Sequence, residues 1–277
     1  MNTKNKSEIT LPTYFISHGG GPWPWLKKEM PGYDRLEASL QTIPQEIGIT
    51  PKAILVISGH WEELDFTVMS SAAPPMLYDY FGFPEHTYHI KYSAPGSPIV
   101  ASHVQELLEQ AGFPANSDQL RGFDHGVFAP LAVAYPEANV PVLQLSMRAD
   151  YDPAAHLAVG RAIAPLRNEG VLIIGSGLSY HNLTQMGASA KVPSHQFDDW
   201  LTNVVCESKS ETRNRHLVNW SQAPSARLAH PREDHLLPLL VAAGAAEADS
   251  GQRIYHEDAF FGNVAVSSFR FGKPTAF

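Results

Sequence analysis

Histidines follow three apolar segments of the chain. These segments have the composition of strands buried on both faces, and they cover residues 14–17, 53–58 and 171–175. His18 and His60 follow the first two, and His181 lies just beyond the third. Ligands of open α/β sheets bind outside the carboxyl ends of the strands, so we expect these imidazoles to converge on one site. Because imidazole is the commonest metal ligand among side chains, the pattern predicts a metal site.

A further candidate ligand, His235, lies near the carboxyl-terminal part of the chain in the segment PREDHLLP. His230 is the competing ligand from the same region. The adjacent carboxylates of Glu233 and Asp234 are alternatives, because two histidines and one carboxylate also form a common type of metal site. The sequence therefore leaves the third ligand open among these residues.

Two histidines are candidates for acid–base chemistry. His125, in the loop-like segment Asp124–Gly126, and His181 each offer a neutral imidazole with an ordinary pKa of about 6.5, which can take or give a proton at working pH. The alternative for both is a buried polar residue whose hydrogen bonds are made by the backbone. His86 and His89 are candidates for substrate-facing or surface groups.

Several other functions lack their motifs. The segment HGGGP after residue 17 is similar to the glycine-rich turn of esterases, but the chain has no Gly-x-Ser-x-Gly nucleophile motif. It also has neither a Gly-x-Gly-x-x-Gly nor a Walker A pattern, which argues against a nucleotide-binding loop.

Composition narrows the class of protein further. A net charge of −8 over 277 residues argues against a general binder of nucleic acid or anionic membranes. The single cysteine, Cys206, excludes an intrachain disulfide and a thiolate-built metal site, which fits a reducing compartment. With no apolar run long enough to span a membrane, the sequence predicts a soluble, cytoplasmic protein.

Strands and helices alternate along the chain. Predicted strands cover residues 14–17, 53–58, 66–69, 141–146, 171–175 and 264–271. Predicted helices cover 36–43, a segment from Pro98 to the stop at Gly112, a segment from Pro153 to Gly170, a segment beginning at Ser194, and 235–246. Residues 74–98 form a long ordered loop that we expect to line a site. The pattern predicts a single α/β domain over residues 11–277 after a polar lead of residues 1–10. Its central sheet is mainly parallel, with antiparallel additions near the ends, helices on its flanks and the metal site at the carboxyl ends of the strands.

Several segments together resemble the class III extradiol ring-cleaving dioxygenases, in the branch that includes the DOPA extradiol dioxygenases, relatives of the LigB-type catalytic subunits. The matching segments run in order over most of the chain, and they are HGGGP from His18, SGHW around His60, GFP from Gly82, YSAPGSP from Tyr92, GFDHG around His125, HNL from His181 and EDHLLPL around His235.

The resemblance implies a non-haem Fe(II) enzyme that opens the ring of a single-ring catechol, DOPA-like or related, with O2. It implies His18, His60 and His235 as metal ligands, His181 as the catalytic acid–base and His125 as a second active-site histidine. Residues of the long loop would shape the substrate pocket, and they are Tyr78, Tyr80, His86, His89 and Tyr92. Among these, His86, His89 and Tyr92 are the predicted substrate-binding residues.

Three readings of the site remain open at this point. A three-histidine site also suits zinc, so the isolated protein is compatible with Zn(II), and a zinc hydrolase is the alternative enzyme. A metal- or small-molecule-binding protein without turnover is the third reading. The sequence leaves open the ring substituent, the choice between proximal and distal cleavage, and whether the protein is an oligomer.

Overall fold

The apolar segments that precede the histidines form neighbouring strands in one sheet. The structure is a computed structural model that describes residues 9–276, and these residues form a single α/β domain. The eight strands of the sheet are β1 Thr13–Ser17, β2 Ala53–Glu63, β3 Phe66–Met69, β4 Ala115–Asp118, β5 Val142–Arg148, β6 Val171–Gly177, β7 Gly251–Phe260 and β8 Val264–Phe271. Residues 1–8 of the predicted lead, and Phe277, lie outside the described residues.

The strand order is β4-β3-β5-β2-β6-β1-β8-β7. The four central strands, β5, β2, β6 and β1, are parallel, while β3 and β8 run antiparallel to the central strands they adjoin and β7 is antiparallel to β8. This arrangement confirms the predicted mainly parallel sheet with antiparallel additions near its ends. In the register, Ser58 of β2 lies beside Ser176 of β6, and Ser17 of β1 lies beside Gly177. The carboxyl ends of these three strands therefore meet at one edge.

Helices cover both faces of the sheet. They are α1 Asp34–Ile47, α2 Pro98–Gln110, α3 His125–Ala134, α4 Pro153–Ile163, α5 Lys191–Glu207, α6 Ser210–Val218, α7 Ala226–Ala229 and α8 Leu237–Ala245. Alternate residues of β6 face opposite sides: Gly175 and Gly177 contact the segment that enters α8, whereas the Ser176 hydroxyl donates to the carbonyl of Gly126 in α3. The side chains of β6 are buried throughout, as expected for a strand covered on both faces.

Two helices begin as their capping residues predict. The Ser97 hydroxyl accepts a hydrogen bond from Val100 N at the start of α2, and the Asp152 carboxylate accepts one from Ala154 N at the start of α4. In both helices, proline occupies the first position, where its missing N–H costs nothing.

Some predicted boundaries were wrong. Strand β2 continues to Glu63, so His60 lies within the strand rather than after it. His125 begins helix α3 and does not lie in a loop. Helix α5 begins at Lys191, three residues before the predicted Ser194. Helix α8 begins at Leu237, and His235 lies in the turn that precedes it.

Five elements were not predicted, namely β4, β7, α3, α6 and α7. Strands β4 and β7 are edge strands with many polar residues, so they lack the apolar signal that revealed the central strands. Among residues 9–276, no helix is both long and apolar enough to cross a membrane.

Candidate active site

Three imidazoles meet at the carboxyl edge of the sheet. The Nε2 atom of His60 lies 3.3 Å from Nε2 of His18 and 3.2 Å from Nε2 of His235. The three rings are buried or nearly so, and their ligating atoms all lie within 4.8 Å of one another. This cluster, which we call the histidine triad, comes from the end of β1, the strand β2 and the turn before α8.

Glycines of β6 allow the third histidine to reach the triad. A Cβ atom on Gly177 would lie 2.1 Å from the carbonyl oxygen of His235, and one on Gly175 would lie 2.2 Å from that of Pro238. The backbone of the turn before α8 therefore packs directly on the strand, and Leu178 N donates a 3.1 Å hydrogen bond to the His235 carbonyl. Close backbone approach of this kind is possible only at glycine.

Each triad ring has an oxygen beside its Nδ1 atom. His18 Nδ1 lies 2.8 Å from the Gly19 carbonyl, His60 Nδ1 lies 3.3 Å from Asp79 Oδ2, and His235 Nδ1 lies 3.0 Å from Asp234 Oδ2. The Gly19 carbonyl accepts a hydrogen bond from His18 Nδ1, whereas the two carboxylates lie close to their rings without hydrogen-bond alignment. The negative charge of each carboxylate still favours a proton on Nδ1, which leaves a lone pair on Nε2. All three lone pairs are then available at the centre of the triad.

The protonation state of the triad also suits a metal. Burial lowers the pKa of His18, His60 and His235 well below 6.5, and the neighbouring imidazoles lower it further. The rings are therefore neutral at physiological pH, which is the form that ligates a metal. A buried group of three neutral nitrogen donors fits a divalent transition metal such as Fe(II) or Zn(II).

Asp79 connects the triad to His125. Its Oδ1 atom accepts hydrogen bonds from His125 N at 2.9 Å and from His125 Nδ1 at 2.8 Å, while Oδ2 faces His60. Burial raises the pKa of Asp79, but the hydrogen bonds from His125 outweigh this effect and the net direction is downward. Asp79 is therefore a carboxylate that orients two imidazoles, whose ring centroids are 4.0 Å apart.

His181 stacks on the triad from the other side. Its ring lies parallel to that of His235, with centroids 3.4 Å apart and planes 17° from parallel. Its Nδ1 atom lies 3.9 Å from Asp234 Oδ1. Burial, with a smaller contribution from His125, lowers the pKa of His181 to about 4, so the ring is a neutral base at pH 7.

A buried ionic group supports β2 beneath the triad. Asp124 accepts hydrogen bonds from Ser58 Oγ at 2.7 Å and from Arg121 Nη2 at 2.7 Å, and Arg121 also donates to the His60 carbonyl at 3.1 Å. Burial raises the pKa of Asp124, and the nearby charge of Asp79 raises it further. The hydrogen bonds of Asp124 and Arg121 therefore hold the backbone of β2 in place at His60.

The alternative ligands near His235 have other partners. His230 Nε2 lies 3.0 Å from the Ser179 carbonyl, and Glu233 pairs with Arg227 at 2.7 Å. Asp234 lies on the Nδ1 side of His235, away from the Nε2 atoms of the triad. Of these residues, only His235 brings a ring nitrogen to the other two triad rings.

A cavity of about 410 Å³ opens over the triad. Its lining includes the triad, His125, His181, Asp79 and Tyr80. The three predicted substrate-binding residues lie elsewhere: His86 and His89 belong to a 3₁₀ turn outside the lining, where His89 pairs with Glu85, and the buried Tyr92 hydroxyl donates to the Tyr135 carbonyl. Tyr78, also expected to shape the pocket, donates instead to the Ile90 carbonyl.

Sequence reasoning missed Asp79 and the aromatic side chains of the cavity. The additional aromatic residues are Phe81, Phe83, Tyr180, Phe260 and Phe261. Asp79 lies between two tyrosines in a loop without a regular period, so the pattern gave no reason to single it out. The last two aromatic residues lie at the tip of the β7–β8 hairpin, whose first strand was itself not predicted.

An α/β sheet with clustered imidazoles at its carboxyl edge is typical of metal-dependent enzymes, and comparison with known proteins identifies the family. Residues 13–272 match the family described as the catalytic LigB subunit of aromatic ring-opening dioxygenase. The chain belongs to this family and is a class III extradiol ring-opening dioxygenase of the DOPA branch.

Relatives span nearly the whole chain. A 4,5-DOPA dioxygenase extradiol of Beta vulgaris is 40% identical over 94% of this chain and 96% of its own length. The protein of that name in Escherichia coli K12 is 33% identical over 96% of both chains. A crystal structure of an uncharacterized protein from Escherichia coli K12 superposes with a TM-score of 0.76 at 28% identity, covering 95% of this chain and all of the other.

Proposed function

We propose that the protein is an Fe(II)-dependent enzyme that cleaves a single-ring catechol beside its hydroxyl groups with O2. The observation that carries this proposal is the histidine triad, in which three neutral Nε2 donors meet in a small-molecule cavity. In this proposal His18, His60 and His235 hold the metal. The names of the relatives make DOPA one substrate to test.

Bound Fe(II) would hold the two catechol oxygens and O2 together and would acidify the hydroxyl groups. The protein contributes the orientation of its imidazoles through Asp79, Asp234 and the Gly19 carbonyl. It also contributes an apolar cavity that excludes water from the reacting groups, which strengthens every electrostatic interaction inside.

His181 is the proposed acid–base residue. Its lowered pKa keeps the ring unprotonated at pH 7, so it can accept the second proton of the catechol and return it later in the reaction. Stacking against His235 holds the ring beside the triad without making it a fourth member of that cluster.

His125 is the proposed second active-site residue. Its Nδ1 is hydrogen-bonded to Asp79, so Nε2 is the nitrogen free to contact substrate oxygen or O2. The ring lies 4.0 Å from that of His60 and 5.2 Å from that of His18, centroid to centroid. A contact from this position would stabilise charge that develops on oxygen.

Zinc is the alternative metal, because three imidazoles also form catalytic zinc sites. A zinc enzyme would hydrolyse an ester or amide through an activated water and would consume no O2, since Zn(II) is redox-inactive. Membership in a dioxygenase family favours iron over this alternative and over a binding protein without turnover.

Oxygen uptake tests the proposal. Protein loaded anaerobically with Fe(II) is mixed with DOPA, caffeate, protocatechuate and uncharged catechols, while O2 and the visible spectrum are recorded. We expect O2 uptake and a yellow ring-opened product with at least one catechol, with Fe(II) and not with Zn(II). If the fully Fe(II)-loaded protein consumed no O2 with any catechol of the panel, the proposal would be refuted. Ester hydrolysis by the zinc-loaded protein would then favour the zinc hydrolase.

A further inference from the structure

The cavity over the triad has apolar walls. Its wall side chains include Met30, Phe83, Leu178, Met186, Phe260 and Val264. The volume of about 410 Å³ falls within the range of about 300 to 1,000 Å³ that small-molecule sites occupy. The space is therefore large enough for a ring and a substituent, and the substituent would contact apolar side chains.

Three exposed apolar side chains stand at the mouth of this cavity, and we call them the apolar rim. Phe81 is 91% exposed, Leu183 is 73% exposed and Phe261 is 50% exposed, and all three belong to the lining. They come from three separate parts of the chain: the long loop, the segment after β6 and the tip of the β7–β8 hairpin. Apolar side chains gathered at the entrance of a site mark a surface that binds an apolar group.

The backbone at Phe261 is strained. Its φ angle is +47°, a conformation that is unfavourable for a bulky residue, and it precedes Gly262 with φ +91°. The ring nevertheless packs against Phe260, with centroids 4.5 Å apart. Two consecutive positive φ angles are typical of a tight hairpin turn, and this turn holds the Phe261 side chain at the cavity.

The polar side chains in the lining beyond the imidazoles and Asp79 already have partners. The Tyr80 hydroxyl donates to the Thr87 carbonyl at 2.6 Å, and the Tyr180 hydroxyl donates to the Gln185 carbonyl at 2.7 Å. The Asn182 amide donates to the Leu228 carbonyl at 2.9 Å, and its oxygen accepts from Thr184. These groups are not free to bind a polar substituent.

The cavity also offers no cationic side chain to an anion. No lysine or arginine occurs among its lining residues in the part of the chain that the structure describes. The charge of the Asp79 carboxylate is negative, as is the net charge of −8 on the whole chain. A carboxylate on the ring substituent, directed away from the metal, would lose hydration in this cavity without gaining a cationic side chain as a partner, which is unfavourable.

We propose, on the basis of the ring-cleaving function proposed above, that the substrate is a catechol with an uncharged, apolar alkyl or aryl substituent, which binds against the apolar rim. The carboxylate and ammonium groups of DOPA match this surface poorly, so DOPA is expected to be a weak substrate.

Three catechols of similar size separate charge from polarity. Dihydrocaffeate carries a carboxylate, its primary amide carries a neutral polar group, and isopentylcatechol carries two methyl groups in place of the carboxylate oxygens. For each, kcat/KM is measured with the Fe(II)-loaded enzyme in air, and Kd is measured by anaerobic calorimetry, where no turnover occurs. We expect isopentylcatechol to exceed dihydrocaffeate at least tenfold in kcat/KM and in affinity, with the amide between them.

Two arginine substitutions locate the effect. Leu183→Arg adds a cation to the apolar rim. We expect it to raise the affinity for dihydrocaffeate and to reduce the preference for isopentylcatechol over dihydrocaffeate at least threefold. Ile99→Arg adds the same charge at an exposed position in α2, outside the cavity, and is expected to leave the preference unchanged. Leu183→Gln separates the added charge from the loss of the apolar side chain. It should weaken the binding of isopentylcatechol without strengthening the binding of dihydrocaffeate.

The outcomes distinguish this inference from the function on which it rests. Equal or better binding and cleavage of dihydrocaffeate by the unaltered enzyme would overturn the apolar assignment, leave the dioxygenase intact and direct attention to the backbone amides of Gly19–Gly21. A preference that Ile99→Arg changes as much as Leu183→Arg would also overturn it. Absence of cleavage of all three catechols, and of all others tested, would refute the dioxygenase proposal itself.

Discussion

The Asp79→Asn substitution tests how strongly one carboxylate controls the site. In the protein, Oδ1 of Asp79 accepts two hydrogen bonds from His125 and Oδ2 lies 3.3 Å from His60 Nδ1. An asparagine has one oxygen. If that oxygen keeps the bonds to His125, its NH2 group faces His60 Nδ1, and two donors oppose each other. His60 then relieves the conflict by moving its proton to Nε2, which removes the lone pair directed at the triad.

The expected magnitude follows from this geometry. Loss of a carboxylate that orients a metal-ligating histidine typically lowers metal affinity about 10- to 100-fold, or about 1.4 to 2.7 kcal/mol. Weaker hydrogen bonds to His125 would lower the free energy of unfolding of the metal-free protein by about 1 to 3 kcal/mol. Metal affinity is measured by competition with a chelator of known affinity, and stability by urea unfolding of the metal-free protein.

A control separates the loss of the orienting carboxylate from the mere loss of one negative charge. Asp152→Asn also removes one negative charge, at the cap of α4, where asparagine caps as well as aspartate. We expect wild-type metal affinity for this variant. If Asp79→Asn folds and binds Fe(II) or Zn(II) as tightly as the unaltered protein, the carboxylate does not orient His60 and the reasoning fails.

Three further results are expected. His60→Ala should lose the metal, whereas His181→Ala should keep the metal and lose turnover by about 10²- to 10⁴-fold. Metal content and O2 uptake measure the two effects. Release of the metal by His181→Ala would contradict the role assigned to His181. Burial lowers the pKa of His156 to about 4, below its unfolded value, so the unfolded state binds more protons between about pH 4 and 6.5 and stability falls as the pH falls through that window. Stability lost to this group between pH 7 and pH 5 is about 2 kcal/mol, and His156→Gln should show that much less acid sensitivity in urea unfolding; an unchanged pH dependence would exclude the effect. Gly177→Ala places a methyl group against the His235 carbonyl. It should lower the free energy of unfolding by about 1 to 3 kcal/mol and weaken metal binding. Unfolding curves and metal titrations equal to those of the unaltered protein would count against the packing argument.

Signals that act over short stretches of sequence predicted much of the fold. The buried central strands have an unbroken apolar pattern, and α2 and α4 carry side-chain caps followed by proline, so the starts of these elements were predicted within a residue or two. The ends were less certain: α4, predicted to run to Gly170, ends at Ile163. The register of β1, β2 and β6 then brings two of the predicted ligand histidines to one edge. The residues alone left the third ligand open, and resemblance to a known family favoured His235, whose position depends on close packing against Gly177 that no periodic pattern reveals.

Contacts between distant segments could not be predicted in the same way. Asp79 reaches His60 and His125 from a loop whose path is set by tertiary hydrogen bonds, such as those of Tyr78 and Tyr80 to backbone carbonyls. The same path carries His86 and His89 away from the cavity, although their residue type suggested a place in it. Edge strand β7 is held mainly by backbone hydrogen bonds to β8, which do not depend on side-chain type. Its sequence therefore carries little of the apolar pattern that predicts a strand.

The triad also has a consequence for how the protein is made. His60 contacts His18 across 42 residues and His235 across 175 residues, so the third imidazole leaves the ribosome long after the first two. A domain generally folds as a unit, and β1 pairs with β6 and β8, which are synthesised much later. A nascent or truncated chain without the α8 region holds only two of the three nitrogens, and acquisition of the metal therefore belongs to the completed fold. Binding then stabilises that fold in proportion to the logarithm of the free metal concentration. The free metal concentration thus affects both the stability of the completed fold and the fraction of molecules that hold a metal.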